Sequence, residues 1–239
     1  MREGFRETWV YLSTTPLLWL TATVLAYLAA DWIWRRSRKN PLLNPMVLAT
    51  GLLIALLSLT GTSYEDYFEG AQFVHFLLGP ATVALAVPLY ANFARVKRAL
   101  PTIFAALVAG SATAVASAVG LVLLLGGSME TARSIAAKSV TTPIAMGIAE
   151  QIGGLPSLMA ALVLITGVVG AMTVTPVLNL AGLRDWRARG FAAGMAAHGL
   201  GVARAFQVNE LAGIFAGVAM ALNGMATAIL VPLILELIR

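Results

Sequence analysis

The sequence predicts an all-α integral membrane fold: about six spanning helices plus two broken or re-entrant helices arranged as an inverted repeat. Three observations predict it. Of 239 residues, 59% are hydrophobic and only 11% charged, where a soluble domain carries about 25% charged residues. The apolar residues fall into runs long enough to cross a bilayer. Two further segments interrupt that pattern with glycine, hydroxyl and ionisable side chains.

Composition also excludes. Cysteine is absent, which removes disulfides, thiolate nucleophiles and cysteine metal sites. The net charge of +5 does not point to nucleic acid, because the basic residues lie in short clusters between apolar runs, as cytoplasmic loops do. There is no phosphate-binding loop, metal-ligand spacing or activated nucleophile. Gly199-Leu200-Gly201 is no dinucleotide fingerprint, since no strand precedes it. No enzyme, metal or cofactor is expected.

Six apolar runs follow in order: Trp9–Trp34, Pro45–Thr60, Phe73–Phe93, Thr102–Leu125, Leu155–Leu180 and Leu211–Ile238. The second is the shortest. The first is too long for a cleaved signal and ends in the basic cluster Arg35/Arg36/Arg38/Lys39. Trp9, Trp32, Trp34 and Trp186 fall at predicted interfaces, where indole is favoured. Asp31 reads as an interface residue too.

Charge sets the topology. Besides Arg35–Lys39, two basic clusters, Arg95/Lys97/Arg98 and Arg184/Arg187/Arg189, should face the cytoplasm. The loop Thr62–Gly70, with Glu65, Asp66 and Glu69 and no base, fits the outside. An outside N-terminus satisfies these positions. The chain must then cross an even number of times between Arg98 and Arg184. The runs from Thr102 and Leu155 supply two crossings, so Lys138–Gln151 should dip in and return, or be a broken helix that never completes a span. Gly190–Phe206 is the second interrupted segment. The expected division is a scaffold over residues 1–125 and a repeat of broken plus spanning helix over 126–239, with no soluble domain.

The repeat is visible as an alignment. Gln151-Ile-Gly-Gly-Leu-Pro-Ser-Leu-Met-Ala-Ala-Leu-Val163 overlays Gln207-Val-Asn-Glu-Leu-Ala-Gly-Ile-Phe-Ala-Gly-Val-Ala219 at a constant offset of 56. In each copy a polar, broken segment leads into a full span. One crossing per copy inverts the second copy relative to the first, a plan that recurs in transporters. Small-residue helices also resemble one another by chance, and Leu100–Val108 resembles Leu155–Val163 as well.

The richest stretch is Lys138-Ser139-Val140-Thr141-Thr142-Pro143. Proline suits a helix start, and a half-helix beginning here would offer free N–H groups and a positive dipole end. With Lys138, Ser139, Thr141 and Thr142 it would make a pocket for a carboxylate. The competing reading has Lys138 snorkelling and the threonines bonding back to the helix. Glu150 is a proton or cation site, or a solvated carboxylate. At offset 56, His198 lies opposite Thr142 and Gly199 opposite Pro143. His198 is a proton relay or a hydrogen-bonded core residue. Arg204 is a carboxylate ligand, a partner of Glu150 or Glu210, or an interfacial arginine. His75 joins Glu150 and His198 as a candidate for coupling to a proton or Na+. Gln72 and Asn223 read as hydrogen-bonding glue between helices.

Phe76–Tyr90, Lys138–Ala145 with Ile152–Ser157, and Ala197-His-Gly-Leu-Gly-Val-Ala-Arg-Ala205 together resemble the LrgB/CidB family of bacterial membrane proteins. The match runs over about residues 45–238 in order and spacing, with Gly199 and Val202 standing for other small residues. The resemblance implies a multi-pass protein of the bacterial plasma membrane. It implies antiholin-like or holin-like control of murein hydrolase activity and lysis, with a small LrgA/CidA-type membrane partner. It equally implies transport of small carboxylates such as pyruvate, glycolate or glycerate. The polar breaks favour transport. A homo-oligomer in the lipid bilayer is expected, and no nucleic-acid partner.

Overall fold

The computed structural model describes residues 16–38, 40, 43–77, 80 and 90–237. Trp9, much of the third apolar run and the side chain of His75 lie outside what it describes. The described residues form helices and connecting turns, in two compact units divided between Ala86 and Val87.

The first unit carries α1 (Pro16–Arg36), α2 (Pro45–Thr60) and α3 (Tyr64–Phe76). Trp19 on α1 is buried and meets the Tyr67 ring edge-on at 6.0 Å. Thr23 donates back to the Trp19 carbonyl and lies 3.1 Å from the Tyr67 hydroxyl. Trp32 is exposed, Trp34 buried, and Asp31 accepts from Arg35 one turn on. Helix α2 has the bounds of the second apolar run. Asn44 caps its start and Gly61, at φ 65°, ends it. At 1.5 Å per residue its 16 residues make about 24 Å, short of a full hydrocarbon core.

The acidic segment from Thr62 to Gly70 differs from expectation: it is helical from Tyr64 onward, not a loop. Ser63 Oγ accepts from the Asp66 N–H and donates to the Asp66 carboxylate. Glu65 and Asp66 occupy the first turn, where carboxylates complement the helix dipole. The charges that read as a solvated loop are those that start a helix.

The second unit contains α4 (Phe93–Arg98), α5 (Leu100–Leu124), α6 (Met129–Arg133), α7 (Thr142–Ile152), α8 (Pro156–Leu180), α9 (Trp186–Val208) and α10 (Glu210–Leu237). Four described helices, α1, α5, α8 and α10, are long and apolar enough to cross a bilayer. Their apolar surfaces stay largely outward, as a lipid solvent requires.

Both interrupted segments fold as helical hairpins. In the first, α6 and a series of turns lead down to Thr141, and α7 leads back. The ends adjoin, since the Leu155 N–H donates to Ser134 Oγ at 2.7 Å. In the second, Ala197 and His198 leave helical geometry, at φ −129° and +40°. The chain reverses there. A Cβ on Gly201 would stand 2.0 Å from the Ala193 carbonyl oxygen. Arg204 and Val208 then lie beside the same small cavity as Trp186 and Arg189.

The hairpins occupy opposite ends of α10. Ala132, Ala137, Val140 and Ala145 of the first pack with Val231 and Leu235 near the end of α10. Phe191 and Met195 of the second pack with Ile214, Phe215 and Val218 near its start. Gly190 and Gly194 let α9 approach α10 so closely that a Cβ on either would stand 2.0 Å from a carbonyl oxygen, of Ala212 and Ala216 respectively. Helix α5 spans both groups, with Val115 and Val119 in the first and Ile103 and Leu107 in the second.

Candidate functional site

The two hairpin tips meet beside the middle of α10, and Asn223 holds them there. Its amide donates to the backbone carbonyls of Ser139, in the first tip, and Met195, just before the second break, both at 3.2 Å. Its carbonyl accepts from Ser111 of α5 at 2.8 Å and from Thr227 at 3.2 Å. Two donors and two acceptor sites are thus all used. Asn223 is 1% exposed, so each bond replaces solvation that lipid and protein cannot give. The expectation of glue between helices is met here, and its reach is wider than a single helix pair. Gln72, in contrast, bonds within its own helix, to the Glu69 carbonyl.

Around this brace the first tip exposes polar groups. Ser139 is buried, while Lys138, Thr141 and Thr142 are half-buried and Pro143 is exposed. Thr141 is the N-cap of α7 but makes no capping bond through its side chain, and proline stands in the first turn. Neither threonine bonds back to the helix, and no salt bridge holds Lys138 among the described residues. The first N–H groups of α7 therefore start three residues after the braced Ser139 carbonyl, in a stretch that also carries Lys138 and the hydroxyl residues Ser139, Thr141 and Thr142.

At the second tip His198 turns away from this group toward α8. Its Nε2 lies 3.0 Å from the Val163 carbonyl oxygen; a carbonyl only accepts, so Nε2 carries the proton. Gly167 makes the room, since a Cβ there would sit 2.6 Å from His198 Cε1. The residue is buried and its positive φ is costly for a β-carbon-bearing residue, about 1–3 kcal/mol. The contact with α8 and the packing around the tip hold it.

Arg204 sits elsewhere. It is six residues, about 9 Å, along the returning half of α9, beside Val174, Thr175 and Leu178 of α8. It is 6% exposed, its Nε has no partner, and one terminal nitrogen reaches Gln207 Oε1 only at 3.5 Å. The cavity next to it measures about 20 Å³, room for about one water. No ion pair joins it to Glu150 or Glu210 among the described residues. Glu150 is exposed, in the last turn of α7, away from the tip. No cluster of three or more metal-binding side chains occurs among the described residues. The structure thus gathers Lys138, Ser139, Thr141, Thr142, Pro143 and His198 at the tips, and sets Arg204 and Glu150 apart.

Sequence reasoning left Asn223 and Ser111 outside the site. Two polar residues in the middle of apolar runs were the available signal. What was missing was that Ser111 holds Asn223 and that Asn223 in turn reaches both breaks.

The break and cap positions of the two hairpins are each 56 residues apart. Helix α7 starts after Thr141 and is capped at Gly153; the second half of α9 follows the break at Ala197 and is capped at Asn209. Both caps donate to the carbonyl four residues back, Ala149 and Ala205. A family model, the LrgB-like family, matches residues 23–237. The chain belongs to the LrgB-like family. It is 33% identical to YwbG of Bacillus subtilis over 91% of this chain and 96% of that one. It is 28% identical to the antiholin-like protein LrgB of Bacillus cereus, covering 94% and 97%. It is 27% identical to the holin-like protein CidB of Staphylococcus epidermidis, covering 92% and 96%. No solved structure matches. The LrgB-like match includes both hairpins, the brace at Asn223 and all of α10.

Proposed function

We propose that this LrgB-like protein is a secondary carrier of small monocarboxylates in a bacterial plasma membrane. The observation that carries the reading is the meeting of two hairpin tips at the midpoint of α10, with Lys138 next in sequence to the braced Ser139 and the N-terminus of α7 three residues beyond it. Half-helix N-termini and a cation at mid-depth favour a carboxylate. Irregular backbone at that depth is tolerated where protein or a polar cavity satisfies it, and Asn223 satisfies two of its carbonyls. In this reading the hairpins enter from opposite faces as an inverted pair, and residues 126–239 move against the preceding helices. The N-terminus lies outside. Lys138, Ser139, Thr141, Thr142 and Pro143 bind the carboxylate, and His198 relays a coupled proton. Arg204, now beside a cavity too small for a carboxylate, takes it up after the hairpins shift. Glu150 and His75 are further coupling candidates, for a proton or Na+.

Uptake of labelled pyruvate or glycolate into proteoliposomes tests this. Saturable uptake that falls at least tenfold with Lys138→Ala is expected. Absence of saturable uptake, or uptake indifferent to both Lys138→Ala and Arg204→Ala, overturns it.

The names of the relatives favour a second reading, an antiholin-like regulator of murein hydrolase activity acting with a small LrgA/CidA-type partner as part of an oligomer. That reading predicts copurification of such a partner and lysis phenotypes that survive Lys138→Ala.

A further inference from the structure

We propose that a cleft between α5 and the outgoing half of α9 binds an anionic phospholipid, its phosphate on an arginine rim and an acyl chain along an apolar floor. The cleft has a volume of about 510 Å³, within the range of about 300–1,000 Å³ typical of small-molecule sites. Its rim carries Arg95, Arg98 and Arg187 against one acid, Asp185. Arg187 is already engaged by Asp185. Among the described residues Arg95 bonds the neutral Asn92 side chain, at 2.7 Å, and no carboxylate, and Arg98 has no ion-pair partner there. The rim therefore has uncompensated positive charge.

The floor is of the opposite character. It is made by Ile103 and Ala106 of α5, Phe191 and Met195 of α9, and Phe215 of α10. It closes where α5 and α9 touch, at Gly110, whose added Cβ would lie 2.6 Å from Met195 Cε. From Thr102 to Gly110 the helix rises about 12 Å, enough for the upper part of an acyl chain. A small hydrophilic anion would leave this floor wet, and a neutral apolar molecule would leave the arginines unpaired. An amphiphilic anion satisfies both. Basic pockets between helix ends at a membrane surface lie at the level of lipid phosphates. The arginine rim lies at the far end of the cleft from the hairpin tips, the floor ending at Met195, whose backbone carbonyl Asn223 holds, and the proposal does not depend on the transport reading.

The test titrates the purified full chain in detergent with phosphatidylglycerol or phosphatidylcholine of matched acyl chains, read by native mass spectrometry. Phosphatidylglycerol is expected to bind about tenfold more tightly. Removing two rim charges in Arg95→Gln/Arg98→Gln should weaken it by about ten- to thirtyfold. Ala106→Phe fills the floor without touching charge and should weaken it as well. Millimolar inorganic phosphate should not displace the lipid. Equal binding of the two lipids, wild-type binding by either variant, or full displacement by inorganic phosphate overturns the proposal.

Discussion

At the scale of single residues, Asn223 has the largest structural consequence for its size. One amide side chain joins α5, α10 and both breaks. Interhelical hydrogen bonds in membrane proteins contribute about 0.6 kcal/mol each on average, so the three that leave α10, to Ser111, Ser139 and Met195, amount to about 2 kcal/mol. Asn223→Ala is therefore expected to lower unfolding free energy in detergent by about 2 kcal/mol. Asn223→Asp should cost more, because a carboxylate would face the Ser139 and Met195 carbonyls with no proton to donate. Titrated denaturation of both variants beside wild type checks the order. The residue was legible as polar and mid-span. Its partners were not, since Ser139 and Met195 contribute backbone oxygens, which every residue has and no sequence pattern marks.

Among the elements, the two breaks were legible for different reasons. Around Thr141 a cluster of hydroxyls and a proline announces a helix start, and α7 begins at Thr142. Around His198 no proline stands; the signal was a run of small residues and an ionisable group in apolar sequence. The observed helix is longer than the expected segment and begins at Trp186, because Asp185 caps it. Asp185 accepts from the Arg187 N–H at 2.8 Å. The Arg187 side chain, by hydrogen bonding first and charge second, holds the Asp185 carboxyl down at about 2. The sign follows: a carboxyl whose folded value is depressed adds stability above its unfolded value, and loses it as pH falls toward 2. Asp185→Ala should cost about 1 kcal/mol at neutral pH through the lost cap. Asp185→Asn, keeping an acceptor, should cost less and should abolish this part of the acid sensitivity between about pH 4 and 2. Thermal unfolding at pH 7 and pH 3 measures both. The expected acidic loop failed at this same scale. Capping chemistry at Ser63 outweighed the polarity of Glu65, Asp66 and Glu69.

For the molecule as a whole, the parity of crossings between Arg98 and Arg184 is the decisive quantity. In the second unit Arg95, Arg98 and Arg187 line one cleft and so share one end, while Ser134 and Leu155 adjoin at the other end of α8. The absence of cysteine makes this measurable in the otherwise native chain. Single cysteines replacing the exposed Gln151 and Ala188 are expected to react with an impermeant maleimide from opposite sides of intact vesicles. Reaction of both from one side would show that α8 does not cross; a third single cysteine replacing the exposed Glu130 is expected to react from the same side as Gln151, and reaction from the opposite side would show that Lys138–Gln151 makes a complete crossing. The labelling also assigns which side holds the arginine rim, on which the lipid proposal and the outside N-terminus both bear.

Sequence alone determined the solvent, the helical class, the family and the two places where apolar pattern fails. Each of these is carried by composition or by neighbours along the chain, through helix propensity, capping groups and the cost of burying charge in hydrocarbon. Only the tertiary structure decided that the failures at Thr141 and His198 meet, that Asn223 braces them, and that Arg204 lies apart from Lys138. Those facts depend on backbone carbonyls and on glycines at 167, 190 and 194 that allow helices to approach. Such contacts join residues up to 112 positions apart, and local sequence does not encode which distant carbonyl a buried amide will find.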